Sequence, residues 1–267
     1  MTPLRKYEAL CQQVQLPKLR IKDEGVLLGG TWKDRRSQQI IQEAQAQGSR
    51  VLCLLSYGNA VYSLGLRAQS SGEDVRAVMP KNTPMYMRQT LQSLGVRVVI
   101  EDLQEKELQE SDIFRVCGVG DPGQAWDVTN GFHGAYAAVV QELGDDLPEY
   151  LICPLGSGEA FVGMAEELQR IKSATKIIGV TVDGAKTLAD KLYTRWSPYE
   201  AKIQELKTEG HEIITVNDQE VHEAYQRAGA HMVCEPSAAV ALHPVLSGRF
   251  SGETSVVVIN SGKGLYV

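Results

Sequence analysis

Short apolar runs alternate with amphipathic stretches along most of this chain. Residues 50–55 form a run rich in leucine and valine, and 60–70 carry apolar positions at helical spacing. Residues 75–79 predict a second strand, 84–94 a second helix and 96–100 a third strand. Further on, 150–153, 176–182, 212–216 and 255–259 predict strands, while 160–171, 200–209 and 219–228 predict helices. Strands and helices alternating in this way imply parallel sheets covered by helices on both faces, an α/β architecture. Residues 50–100 read as one βαβαβ block and so as a candidate subdomain.

The 267 residues suffice for one large domain or two small ones. A net charge of -6 with no block of basic residues argues against nucleic-acid binding, which needs a Lys/Arg-rich face. No apolar run approaches the ~18 residues of a spanning helix. The stretch 1–15 carries charges and has no apolar signal core, so the expectation is a cytoplasmic protein without a membrane partner. Cys11, Cys53, Cys117, Cys153 and Cys234 are scattered and form no C-x-x-C pair, which argues against a disulfide framework. Cys53 and Cys153 lie inside apolar runs and read as buried thiols acting as small hydrophobes.

Ligands in open α/β sheets sit at the carboxyl ends of strands, near helix starts. Four segments occupy such places. In Gly29-Gly30-Thr31-Trp32-Lys33-Asp34-Arg35 the glycines make a turn, and Thr31 with Asp34 resembles a capping box. Lys33 then falls in the first helical turn, where the helix dipole disfavours a cation. That suits an amine that attacks an aldehyde, although a solvated surface lysine fits the same segment. Ser56-Tyr57-Gly58-Asn59-Ala60 follows a strand and reads either as a ligand-binding loop or as a plain βα loop. Pro154-Leu155-Gly156-Ser157-Gly158-Glu159-Ala160 is a glycine turn feeding a helix start, the form of a phosphate cradle without a Walker lysine. In Asn260-Ser261-Gly262-Lys263-Gly264, Ser261 could hydrogen-bond a ring nitrogen, or the segment could be a terminal turn.

Taken in order, the segments resemble the fold-type II pyridoxal-phosphate (PLP) family, which includes threonine synthase, cysteine synthase and serine/threonine dehydratase. Ile21-Lys22-Asp23-Glu24 followed by Gly30-Thr31-Trp32-Lys33-Asp34-Arg35 is similar to the family's K-x-E and G-S-F-K-D-R. Ser56-Tyr57-Gly58-Asn59 resembles S-S-G-N, and Pro154-Leu155-Gly156-Ser157-Gly158 resembles P-V-G-x-G. Glu235-Pro236-Ser237-Ala238-Ala239 resembles E-P-x-x-A, and Ser261-Gly262-Lys263-Gly264 resembles T-G-x-G. The resemblance covers the chain from about Leu16 onward.

It implies two domains with parallel-rich sheets flanked by helices, of the tryptophan synthase β type. Residues 1–49 and 128–267 would form a large cofactor-binding domain, with 50–127 a small mobile domain inserted in it and the active site in the cleft between them. Lys33 would be the Schiff-base lysine and would move the α proton. Asn59 would hydrogen-bond the ring hydroxyl. Gly156, Ser157, Gly158, Glu159 and Ala160 would cradle the phosphate, and Ser261 would contact the pyridine nitrogen. A neutral partner there leaves the nitrogen unprotonated, which suits elimination and replacement over transamination. Ser56, Tyr57, Gly58, Asn59 and Ala60 would receive the amino-acid substrate. A homodimer is expected by the same resemblance and because two-fold dimers are common.

The chain departs from the family at several of these positions. Tyr57 stands where Ser or Thr is usual, Ala60 lacks a hydroxyl that some members use, and Glu159 and Ala160 replace a frequent Gly and Thr. The first expectation is a threonine synthase-like lyase or synthase acting at the β or γ carbon of an amino acid. A deaminase/desulfhydrase-like enzyme using Tyr57 is the second, and a non-catalytic relative the third. The retained Lys33, Asn59 and Ser261 argue against the last.

Overall fold

The computed structural model describes residues 1–102, 108–194 and 196–264. The chain starts with β1 (Leu4–Arg5), α1 (Glu8–Val14) and β2 (Leu19–Asp23), then α2 (Lys33–Gln47). Next come β3 (Val51–Leu55), α3 (Asn59–Ser71), β4 (Asp74–Pro80), α4 (Met85–Ser93) and β5 (Arg97–Glu101). They are followed by α5 (Glu110–Val116), β6 (Ala125–Asp127) and α6 (Ala137–Gln141). The last stretch holds β7 (Tyr150–Pro154), α7 (Glu159–Arg170), β8 (Lys176–Val182), α8 (Glu200–Thr208), β9 (Glu212–Val216), α9 (Asp218–Gly229) and β10 (Val256–Asn260).

The chain forms two compact units, Met1–Trp32 with His133–Val267, and Lys33–Phe132. The first unit holds a sheet of order β1-β2-β10-β7-β8-β9, parallel except for β1 at its edge. The apolar run of β10 is buried throughout, as a strand covered on both faces requires. Its alternate residues serve opposite faces. Val256 and Val258 join Leu10, Ile21, Ile152 and Val180, while Val257 and Ile259 join Leu151, Phe161, Leu168 and Ile177. Among the described residues no helix is long and apolar enough to cross a membrane.

The second unit holds the all-parallel sheet β5-β4-β3-β6. The sequence-based boundaries at 50 and 127 differ from the observed division, because α2 packs along α3 within this unit. The contact is polar: Ser63 Oγ donates to Asp34 Oδ1 and lies 2.9 Å from Ser37 Oγ. The helix begins at Lys33, one residue later than a Thr31 cap requires. Thr31 instead forms an isolated bridge with Gly262.

Candidate active site

The glycine turn of the first unit lies between β7 and α7. Leu155 N–H donates to Val180 O at 2.7 Å, which ties the turn to β8. Gly158 caps α7 with φ +91, a left-handed conformation that side chains resist. It is also crowded: a Cβ there would stand 2.5 Å from Ile203 Cδ1 and 3.3 Å from Tyr199 Cβ. Ser197 Oγ donates to Ser157 O and accepts from Tyr199 N–H at 3.1 Å, so the segment leading into α8 braces the turn. Gly156 and Ser157 are half-buried, whereas Glu159 and Ala160 are buried. Tyr199 Oη donates to Glu159 Oε1 at 3.4 Å, which gives one oxygen of this buried carboxylate a partner.

The end of β10 runs beside the segment before Lys33. Trp32 N–H donates to Ser261 O at 2.8 Å, and Lys263 N–H donates to Gly30 O at 3.0 Å. Ser261 is buried. Glu235 N–H donates to Gly262 O at 3.0 Å, which brings the Glu-Pro-Ser-Ala-Ala segment to the same place. Glu235 is only 4% exposed, and Lys191 Nζ answers it at 2.5 Å from Oε2. Burial raises the pKa of neighbouring Asp190, and the Lys191 cation partly offsets that. Sequence reasoning marked Glu235 but missed Lys191, Ser197 and Tyr199, which lie in a stretch with no motif and no apolar period.

The second unit carries Lys33 and the loop after β3. Lys33 is half-buried at the start of α2. The neighbouring Asp34, 1% exposed, receives the Ser63 hydroxyl and lies 3.8 Å from Arg67 Nε, so the first turn of α2 is pinned to α3. Arg36 Nη2 donates to Val128 O and, at 3.1 Å, to Thr129 O. Thr129 Oγ1 in turn accepts Leu55 N–H at 3.0 Å, bracing the end of β3. Ser56 is buried, and its Oγ accepts Gly58 N–H at 3.2 Å. Tyr57, Asn59 and Ala60 are half-buried, with Asn59 and Ala60 opening α3. The structure thus groups Lys33 with Ser56, Tyr57, Gly58, Asn59 and Ala60 in one unit, and the glycine turn with Ser261 in the other.

The family model for "Pyridoxal-phosphate dependent enzyme" matches residues 1–262. The L-threonine dehydratase catabolic TdcB of Staphylococcus aureus is 23% identical, over 98% of this chain and 83% of that protein. A fungal L-serine ammonia-lyase from Rhizomucor miehei superposes with a TM-score of 0.81 at 21% identity, covering 98% of this chain and 93% of that one. Maize serine racemase gives a TM-score of 0.82 at 20% identity, covering 100% and 89%. These solved structures share the fold-type II architecture. The residues present fit PLP. Any helix start leaves N–H groups without an intrahelical acceptor, an anion site, and here the preceding glycine is one that a Cβ would obstruct.

Proposed function

Because the chain belongs to the pyridoxal-phosphate dependent enzyme family, we propose that it is an amino-acid lyase that eliminates a β substituent and releases the amino group as ammonia. When bound, PLP supplies an electron sink that acidifies the substrate Cα–H. The observation that carries the reading is the pairing of Thr31 and Trp32 with Gly262 and Ser261, which sets the backbone leading into Lys33 beside a buried neutral hydroxyl. Ser261 Oγ would face the ring nitrogen and leave it without a proton, which favours loss of a β group over transamination. Lys33 Nζ would hold the cofactor covalently and then carry the Cα proton. Asn59 would donate to the ring hydroxyl. Gly156, Ser157, Gly158, Glu159 and Ala160 would hold the phosphate through backbone N–H groups. Ser56, Gly58 and Ala60 would shape the substrate carboxylate site, and Tyr57 Oη would move a proton at the leaving group.

The threonine synthase-like replacement suggested by the sequence would use the same residues, and no relative named above specifically supports it. Support for elimination comes from the activities named for two of the relatives, a dehydratase and an ammonia-lyase. The two-fold dimer expected of the family stays part of the proposal and is checked by sedimentation.

The test begins with the visible spectrum of the protein purified with PLP. A band that Lys33→Ala abolishes supports the reading, and no band at any PLP concentration sinks it. Serine, threonine, cysteine, O-acetylserine and O-phosphohomoserine are then screened for ammonia and 2-oxo acid. Turnover only in the presence of an added nucleophile would replace elimination with replacement chemistry. Tyr57→Phe should slow turnover about 10²-fold if the phenol carries a proton; unchanged turnover removes it from the mechanism.

A further inference from the structure

Two thiols that the proposed chemistry leaves unused lie together in the second unit. Cys53 sits in the middle of β3, in register with Arg76 of β4 on one side and Asp127 of β6 on the other. Cys117 closes α5, and its Sγ stands 3.9 Å from Arg76 O, in the same row of the sheet as Cys53. The two are buried and share one apolar cluster with Val78 and Ile113. Arg76 fastens this end of α5, with Nη1 donating to Cys117 O at 3.1 Å and to Gly118 O at 2.7 Å. We propose that Cys53 and Cys117 form a reversible dithiol–disulfide pair, oxidised by a hydroperoxide, that links α5 to β3.

The environment assigns the two sulfurs different parts. The nearness of Cys53 lowers the pKa of Cys117, against burial, and the Arg76 charge adds to the effect. The nearness of Cys117, followed by burial, pushes the Cys53 thiol up. Cys117 ends a short helix and holds the Arg76 guanidinium at its own carbonyl, whereas Cys53 is fixed in mid-strand, so Cys117 is the sulfur that ionises and attacks. Its thiolate displaces hydroxide from the peroxide O–O bond, giving a sulfenic acid, and the hydroxide leaves as water after taking a proton. The Cys53 sulfur then displaces the sulfenic oxygen as a second water. Two thiols and one hydrogen peroxide become one disulfide and two waters: the sulfurs lose two electrons and the peroxide gains them.

Access follows from α5 itself. Its seven residues are too few to be stable without packing, so local opening there costs less than opening the sheet. The other thiols make internal controls. Burial raises Cys153, and it pushes Cys234 up to about 12. Neither ionises readily.

The experiment uses the reduced, PLP-loaded full chain. It is treated with a small molar excess of hydrogen peroxide, alkylated under denaturing conditions, digested and mapped by mass spectrometry. The expected result is a Cys53–Cys117 linked peptide about 2 Da lighter than its reduced parts, cleaved by dithiothreitol, with Cys11, Cys153 and Cys234 still alkylated. Cys53→Ser should leave Cys117 as a sulfenic acid that dimedone labels, and Cys117→Ser should leave Cys53 reduced at the same dose. Cys53 and Cys117 both remaining alkylatable at doses that oxidise the other thiols would overturn the proposal, as would a link to any other cysteine. The wild-type map decides the matter even if a variant fails to fold, and it does not depend on the reaction the enzyme catalyses.

Discussion

The loops after β7 and β3 look alike in sequence, each a Ser and a Gly feeding a helix, yet they are held in different ways. Gly158 has φ +91 and no room for a side chain, because Ile203 and Tyr199 crowd it. Gly58 has φ +142, but a Cβ there would meet only the thioether end of Met87, at 3.2 Å from Cε. Both positions need glycine for backbone conformation, and only the first also needs it for space. The difference extends to the surroundings. The first loop is set by side chains packed close on its backbone together with the Ser197 bond, while the second, with Lys33, is set by a polar network through Asp34, Ser63, Arg67 and Thr129. A motif can therefore mark a loop without revealing what makes it rigid.

The largest effect should come from the crowded glycine. Gly158→Ala is expected to cost about 3 kcal/mol through strain and overpacking together, read from urea unfolding, and to weaken PLP binding in titration. Adding Ile203→Val removes Cδ1 and should return part of that loss but not the share due to φ. No recovery in the double variant would show that crowding is not what distinguishes this loop. Asp34→Ala should come next, at about 2 kcal/mol, since it strips a buried partner from Ser63 and Arg67. A cost near zero would remove the polar network as the support of the Lys33 turn. Gly58→Ala should cost about 1–2 kcal/mol from backbone strain, and Met87→Ala should not relieve it; relief would make the two loops alike after all.

Much of this arrangement is legible in the sequence where physics is local. The strands expected at 176–182 and 212–216 coincide with β8 and β9, because each writes a compact apolar run between polar flanks. A helix opening near Lys33 was expected, though with Thr31 as its cap, but the face it buries was not. That face is Asp34, Arg36, Ser37, Ile40 and Ala44, largely polar, so no apolar stripe announces it. β6 spans only three residues, too few for a period to show. Glu235 was visible through its motif, but its partner Lys191 comes from 44 residues away in an aperiodic stretch. The pairing of Cys53 with Cys117 likewise depends on where α5 crosses the sheet, which no local pattern encodes.

The smallest expected effect separates the two units by acid. In the first unit, His211 Nδ1 accepts Ile177 N–H at 3.0 Å, so the ring must stay neutral to hold the start of β8. Burial lowers its pKa, the Lys176 charge adds to this and Glu209 opposes it. Below the unfolded value of about 6.5 the unfolded chain takes up a proton that the folded chain refuses. Stability supplied by His211 is thus complete above that pH and is lost as pH falls from there through the folded value. In the second unit the sign reverses. Burial raises the pKa of Asp127, against hydrogen bonds from Thr129, so there the folded chain takes up the proton first and acid costs nothing at this group. Hydrogen-exchange protection, compared at pH 7.5 and 5.5, should therefore fall in β8 and hold in β3. His211→Gln should flatten the fall in β8, because an amide oxygen can accept the Ile177 N–H without titrating. A loss in β8 that survives this substitution, or an equal loss in β3, would mean that acid does not distinguish the units through these two side chains.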